Sequence, residues 1–167
     1  MMERPWLTEP SREEFKHAGF PCIIQRGPAG AWCGYVAVTP EHVMHGKGYS
    51  SEYDDEGNYV GPGPVEALDV HGGITYANHC AEDAGICHKA EPGEPDNVWW
   101  LGFDCAHGGD ITPKHDDPES ESNLRMRERH PDMQWGNFPW KKNSVYRDID
   151  YVRRETESLA EQLRELA

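Results

Sequence analysis

The chain has 167 residues, a length that fits one domain with a core of its own. It carries 30 acidic and 16 basic residues, for a formal net charge of −14. Such a surface repels a phosphate backbone, so we expect no direct nucleic-acid binding. No apolar run is long enough to span a membrane, and the N-terminus does not look like a signal peptide.

The cysteine pattern indicates a reducing compartment. Five cysteines is an odd number, and their spacing does not suggest a disulfide framework. We therefore predict reduced thiols and a cytoplasmic protein.

The first part of the chain predicts a short helix and a β-hairpin. Residues 1–19 are polar, and Ser11 with Glu14 forms a capping-box pattern for a helix over 11–17. Two β-rich runs, 21–26 and 31–38, flank a Gly/Pro turn and predict a hairpin.

Two further strands are predicted, over 67–76 and 98–103. The polar segment 114–132 has few apolar residues to bury, so we interpret it as a mobile loop. Trp135, Phe138 and Trp140 are expected to return the chain to the core.

The C-terminal segment 144–166 predicts a long amphipathic helix. Ser144 can cap it, and Asp148 and Asp150 suit the positive end of its dipole. Its apolar residues follow alternating spacings of four and three, typical of one helix face: Val145, Ile149, Val152, Thr156, Leu159, Leu163 and Leu166. This face either packs across the sheet or forms a coiled-coil homodimer.

Two junctions between strand and loop carry the chemistry. The run 98–103 breaks into Asp104, Cys105, His107, Gly108, Gly109 and Asp110, while 68–70 runs into His71, Gly72 and Gly73. Because strand ends deliver side chains to clefts, we expect His71 and His107 to lie within about 10 Å of each other. The sheet's open face or an edge is the predicted place.

The titratable groups at the junctions are the candidate catalytic residues. Imidazole and carboxylate serve as metal ligands or as a general base with its orienting partner. The candidates are His71, Asp104, His107 and Asp110. The alternative is structural: the glycine pairs mark a bulge and a tight turn, and the histidines are satisfied by hydrogen bonds.

A small-ligand site is the second interpretation of the same region. Glycine N–H groups bind phosphate or an oxyanion, exposed aromatic rings stack on planar ligands, and arginines on a loop close over phosphate. The candidate ligand-binding residues are Trp32, Tyr35, His71, Gly72, Gly73, Thr75, Trp99, Trp100, Asp104, His107, Gly108, Gly109, Arg125 and Arg127. The alternatives are core packing for the rings and solvated loop charges for the arginines.

No cofactor is firmly indicated, although zinc is an option. Cys80, Cys87, His88 and Cys105 offer the thiolate and imidazole ligands that zinc prefers. The absence of a Cys-x-x-Cys pair argues instead for small buried cysteines.

Four sequence blocks carry a resemblance to a known group of proteins. They are GYVAVTPEHVMHGKGY, VHGGITY, VWWLGFDCAHGGD and YRDIDYVRRE, over 34–49, 70–76, 98–110 and 146–155. Together they resemble small uncharacterised proteins of tailed phages and prophages, a group without a known activity. The resemblance implies a phage origin, the host cytoplasm and an accessory role such as counter-defence.

The sequence as a whole predicts a single α+β domain. We expect a small antiparallel sheet of about four strands, a long C-terminal helix and extended loops. Three function classes follow. The first is a protein that binds a small, nucleotide-like ligand, such as a host immune signal. The second is a metal-assisted hydrolase, and the third is an acidic protein-interaction factor or DNA mimic.

Overall fold

A computed structural model describes residues 3–48, 51–133 and 143–167. The strands are β1 (Arg12–His17), β2 (Phe20–Arg26), β3 (Trp32–Val38), β4 (Glu52–Tyr53), β5 (Tyr59–Gly61), β6 (Tyr76–Asn78) and β7 (Trp99–Asp104). The helices are α1 (Pro113–Asp116), α2 (Glu121–Arg129) and α3 (Ile149–Glu165). Trp135, Phe138 and Trp140 lie outside the described residues.

The fold is α+β, as predicted, with a larger sheet than expected. Five strands pair in the order β1-β2-β3-β7-β6, all antiparallel, and β4 and β5 form a separate small hairpin. The predicted hairpin is confirmed as β2 and β3. Every residue of β3 is buried, as befits a central strand with both faces covered.

The helix predicted over 11–17 is wrong, because this segment forms strand β1. Its side chains alternate between exposed and half-buried positions. Ala18 and Gly19 both have positive φ, of 51° and 87°, which gives the two-residue turn that favours an antiparallel hairpin. Pairing along β2 satisfies the backbone of the whole segment, whereas a helix of this length is marginal.

The strand predicted over 67–76 is also wrong for most of its length. Only Tyr76–Asn78 joins the sheet, beside β7, and the preceding residues lie in turns and irregular structure. Gly72 and Gly73 have φ of 69° and 82°. These positive values interrupt an extended strand at the predicted position.

Helix α3 is shorter than predicted and uses a different cap. It starts at Ile149, and the Asp148 carboxylate accepts a hydrogen bond of 2.8 Å from the Tyr151 N–H, so Ser144 is not the N-cap. The side chains that it buries are Val152, Thr156, Leu159, Ala160 and Leu163. They pack against the sheet, so this face is not free for the coiled-coil pairing that we considered.

The sheet has an apolar layer on each face. One face contacts α3, and the other is covered by part of the connection between β6 and β7, including Ile86 and Val98. Trp99 packs on the α3 side and Trp100 on the other, as the alternation of a strand requires. Within the described residues, no helix is long and apolar enough to cross a membrane.

The segment predicted as a loop over 114–132 contains most of α1 and all of α2. Ser120 caps α2 by accepting a hydrogen bond of 3.2 Å from the Asn123 N–H. Between the helices, the buried Asp117 carboxylate accepts hydrogen bonds from Arg4 Nε (2.9 Å) and Trp6 Nε1 (3.1 Å). The segment 114–132 has few apolar residues to bury. Its contact with the N-terminal residues is the polar one made by Asp117.

The Glu9 carboxylate joins the N-terminal segment to the sheet and to the start of α3. It accepts hydrogen bonds from Trp32 Nε1 (2.9 Å), Tyr146 OH (2.7 Å), Arg26 Nη2 (3.0 Å) and the Ile149 N–H (3.3 Å). Burial raises the pKa of Glu9, but these hydrogen bonds and the Arg26 charge outweigh burial and hold it below its usual value.

We predict that Glu9→Gln lowers the free energy of unfolding at pH 7 by about 1–3 kcal/mol, because it removes a charged acceptor from buried donors. A depressed pKa stabilises the fold above the unfolded-state value of 4.5 and loses that effect as the pH falls through the folded-state value. The difference between the two proteins should therefore shrink below about pH 4. Denaturant titrations across this range provide the measurement, with the exposed Glu41→Gln as control. A difference independent of pH would contradict the assignment.

Candidate metal centre

The two predicted junctions converge. His71 Nε2 lies 2.7 Å from Asp110 Oδ2, and the His71 and His107 ring centroids are 5.6 Å apart. The predicted proximity of these histidines is therefore confirmed. They meet beside α3, through Tyr151, rather than at the sheet face away from that helix.

Gly72 brings the two histidines together. Val70 is buried, and its carbonyl accepts a hydrogen bond of 2.9 Å from the Gly73 N–H, which closes the turn that presents His71. A Cβ on Gly72 would lie 2.1 Å from His107 Cε1, so the imidazole occupies the place of a side chain. The Gly73 N–H is used within the turn and is not aimed at a ligand.

The loop after β7 folds back on its own carboxylate. The Asp110 N–H donates to the His107 carbonyl, and the His107 N–H donates to Asp110 Oδ2, each at 3.0 Å. Val145 then pairs with this loop, because its N–H donates to the Gly109 carbonyl at 2.8 Å. Gly109 has φ of 95°, so the predicted tight turn is present.

Asp110 is the buried centre of the cluster. Arg147 Nε donates to Asp110 Oδ1 at 3.0 Å, while Asp110 Oδ2 faces His71. Burial raises the pKa of Asp110, but the contact with His71 and hydrogen bonds from the His107 N–H and Arg147 outweigh burial and hold this pKa below its usual value. The carboxylate is therefore ionised at neutral pH.

Three short contacts run from Glu155 through Tyr151 and His71 to Asp110. Glu155 Oε1 is 3.0 Å from the Tyr151 oxygen, which is 2.9 Å from His71 Nδ1, and His71 Nε2 is 2.7 Å from Asp110 Oδ2. Ionised carboxylates supply no hydrogen, the phenol supplies one and a neutral imidazole supplies one. Two hydrogens cannot fill three contacts, so this arrangement requires one more proton or a metal cation.

His107 adds a nitrogen to the same place. Its Nδ1 atom lies 3.7 Å from Asp104 Oδ1 and 3.7 Å from Asp110 Oδ2. It is shielded from solvent and has no hydrogen-bond partner within the described residues. One donor atom each from His71, His107 and Asp110 lie within 4.8 Å of one another, close enough for one metal ion.

Asp104 sits at the edge of this cluster. Its Oδ2 accepts a hydrogen bond of 2.9 Å from the Thr75 hydroxyl, and its Oδ1 accepts one of 3.0 Å from the Ala106 N–H. It stands opposite Cys33 in the sheet register, and its carboxylate lines a cavity with Cys33 and Tyr35.

The aromatic platform predicted for a planar ligand is wrong for two of its rings. Trp32 and Trp100 are fully buried, so neither offers a free ring face. Tyr35 is largely buried but lines the cavity. Trp99 is half-buried on the α3 side of the sheet, and its ring packs beside His45 and His79.

The arginines predicted to close over a phosphate lie on a helix rather than on a loop. Arg125 and Arg127 lie on α2, and Arg125 forms an ion pair with Glu121 one turn earlier. Helix α2 packs against α1. Gly108 is exposed at the tip of the loop after β7.

The cysteine-based zinc set does not assemble. Cys80 and Cys87 form a disulfide with Cα atoms 4.8 Å apart, which corrects the prediction that all thiols are reduced. Cys105 is free and buried on the α3 side of the sheet, whereas the His88 ring packs on Trp100. Burial raises the pKa of the Cys33 thiol to about 11 and that of the Cys105 thiol above the usual range.

Three residues of the cluster were absent from the sequence prediction: Arg147, Tyr151 and Glu155. All three lie within residues 146–155, just before α3 or in its first two turns. Their spacing from the two junctions in the sequence does not predict this contact.

Comparisons of the chain with protein-family models, with curated proteins and with solved structures gave no match.

We predict that Gly72→Ala lowers the free energy of unfolding more than Gly73→Ala does. Both substitutions place alanine at positive φ, which costs about 1–2 kcal/mol. Only the first adds a clash with His107, because a Cβ at Gly73 would meet open space. We expect about 1–3 kcal/mol of additional destabilisation, or an expelled His107 ring. Unfolding free energies and histidine ring NMR signals measure both. Equal stabilities with unchanged ring signals would contradict the packing.

Proposed function

We propose that this protein is a metal-dependent hydrolase that binds one divalent transition-metal ion through His71, His107 and Asp110. The observation that carries the proposal is the missing hydrogen in the contacts from Glu155 to Asp110. A cation held by His71 and Asp110 would remove that deficit. It also gives His107 Nδ1, which otherwise lacks a hydrogen-bond partner among the described residues, a role as ligand.

The donor set fits such an ion. Two imidazoles and one carboxylate suit zinc or ferrous iron and leave coordination positions open for water or substrate. Ligand atoms on a tetrahedral zinc stand about 3.3 Å apart, given bond lengths of about 2.0–2.1 Å. The distances from Asp110 Oδ2, 2.7 Å to His71 Nε2 and 3.7 Å to His107 Nδ1, lie on either side of that value.

The surrounding hydrogen bonds resemble those that orient metal ligands. A ligating histidine usually donates its other N–H to an acceptor that fixes its tautomer. His71 Nδ1 faces the Tyr151 oxygen, and Tyr151 in turn donates to Glu155. Burial and the bond to Glu155 raise the pKa of Tyr151 to about 12, so its hydroxyl keeps its hydrogen at neutral pH.

We assign the transfer of a water proton to Asp104. A divalent metal held by His71, His107 and Asp110 would lower the pKa of water to about 7 and so supply the nucleophile. The Asp104 carboxylate, 3.7 Å from His107 Nδ1, would act as the general base that takes the water proton and would return it to the leaving oxygen as the bond from the ester carbon or phosphorus to that oxygen breaks. One water is consumed, and an acid and an alcohol form.

A second candidate is a protein that binds a small, nucleotide-like ligand without turnover. A cavity of about 380 Å³ beside Asp104 and Thr75 supports it, because that volume suits a small ligand. A phage origin and sequestration of a host immune signal remain proposals that rest on the sequence resemblance. Recovery of a bound ligand unchanged after incubation favours this candidate, whereas a cleaved product favours the hydrolase.

We predict that metal-stripped protein binds one Co²⁺ or Zn²⁺ per chain, measured by calorimetry and by the visible spectrum of Co²⁺. Loss of a group that only orients a metal ligand lowers metal affinity by about 10- to 100-fold. His71→Ala and His107→Ala should each lower metal affinity by more than this. The exposed His115→Gln is the matched control and should bind as wild type does. The loaded protein is then assayed with chromogenic carboxylic esters, phosphomonoesters and phosphodiesters.

Two results would contradict this proposal. Unchanged metal affinity in His107→Ala would remove His107 from the site. If the protein binds no metal and NMR finds hydrogen on both His71 ring nitrogens at neutral pH, a proton fills the contact and the site is structural.

We predict that Tyr151→Phe lowers metal affinity by about 10- to 100-fold while leaving the metal stoichiometry at one. The substitution deletes the acceptor that orients His71 Nδ1 but keeps the ring that packs against His71. The exposed Tyr59→Phe is the control. Calorimetric titration measures both variants, and an affinity equal to that of wild type would show that Tyr151 does not support the site.

A further inference from the structure

The cavity beside Asp104 is lined mainly by apolar and aromatic side chains and by one carboxylate. It lies on the sheet face away from α3 and has a volume of about 380 Å³. Pro28, Ala29, Tyr35 and Tyr76 contribute to its walls, and Asp104 is the only carboxylate among the described residues that line it. An apolar cavity with one charged group binds ligands that have an apolar body and one charge of opposite sign.

The Asp104 carboxylate has acceptor capacity to spare. A carboxylate offers about four acceptor positions, and Asp104 uses two of them for Thr75 and Ala106. Its side chain is 32% exposed. Within the described residues, no lysine or arginine forms an ion pair with it, and the His107 Nδ1 atom stands 3.7 Å from its Oδ1 atom. The negative charge is therefore open to a ligand.

The aromatic walls favour a cation as well. The Tyr35 and Tyr76 rings meet edge to face, with centroids 5.5 Å apart. Burial raises the pKa of Tyr35 above its usual value, so both the phenol and the neighbouring Cys33 thiol stay neutral. Neutral aromatic rings attract an ammonium group within about 6 Å of the ring.

We propose that this cavity binds a small organic ammonium ion with an apolar or aromatic body, and that Asp104 pairs with its nitrogen. The net charge of −14 adds a general attraction for cations and a repulsion of anions. This inference goes beyond the proposed function, because a ligand nitrogen paired with Asp104 occupies the carboxylate that the hydrolase would use for proton transfer.

The test uses three probes of nearly equal shape and different charge: benzylammonium, benzyl alcohol and benzoate. Binding to the full chain is measured by NMR titration in the presence of a chelator, so the result does not depend on a metal. We expect benzylammonium to bind at least about tenfold more tightly than benzyl alcohol, and benzoate to bind least. The shifted signals should include those of Thr75, Tyr35 and Ala106.

Three variants sharpen the test. Asp104→Asn should reduce benzylammonium affinity by about tenfold, to the level of the alcohol. Asp55→Asn removes the same charge from an exposed loop and should leave the affinity unchanged. Ala106→Leu adds volume at an exposed position of the cavity wall and should weaken both benzylammonium and the alcohol.

Equal binding of benzylammonium and the alcohol overturns the inference, as does no binding or undiminished binding in Asp104→Asn. The probe comparison in wild type holds even if Asp104→Asn fails to fold. Because all of these measurements use metal-free protein, failure of the metal centre leaves them intact. Conversely, loss of ammonium selectivity leaves the metal titrations as they stand.

Discussion

The buried Asp110 carboxylate is the constraint on which the functional region depends. It accepts hydrogen bonds from the His107 backbone and from Arg147 and lies 2.7 Å from His71 Nε2, and these three partners belong to separate segments of the chain. An ionised group at this depth is stable only while its partners are in place. One side chain therefore fixes three segments relative to one another: the turn that carries His71, the loop after β7, and the residues just before α3. Tyr151, which contacts His71, is held in place with them.

His107 connects this centre to the opposite side of the sheet. Its Nδ1 atom is equally far from Asp104 and Asp110, although Asp104 lines the cavity and Asp110 does not. The His107 ring can lie this close to the turn that carries His71 because Gly72 has no side chain. A cation at the centre and a cation in the cavity would each relieve negative charge in a molecule of net charge −14. The two proposed sites thus share one electrostatic cause and remain separable by experiment.

The elements that local pattern predicts well are those whose partners are close in sequence or whose periodicity is long. The hairpin of β2 and β3 and the buried face of α3 follow from such patterns. The segment 11–17 misled because a capping-box motif competes with the turn at Ala18 and Gly19, and pairing with β2 decides between them. The pattern over 67–76 predicts a strand, because a glycine pair can form a bulge within one, but positive φ at Gly72 and Gly73 ends the extended conformation there.

By itself, the sequence determined that His71, His107 and Asp110 stand at junctions with glycine pairs, and that the chain is acidic with an apolar helix face near its end. It could not determine which charges meet, because Arg147, Tyr151 and Glu155 reach the site only through the packing of α3. It also could not decide that Cys80 and Cys87 pair or that Trp32 and Trp100 are buried. These outcomes depend on distances between segments far apart in sequence, and hydrogen bonding and burial act through distance in space rather than along the chain.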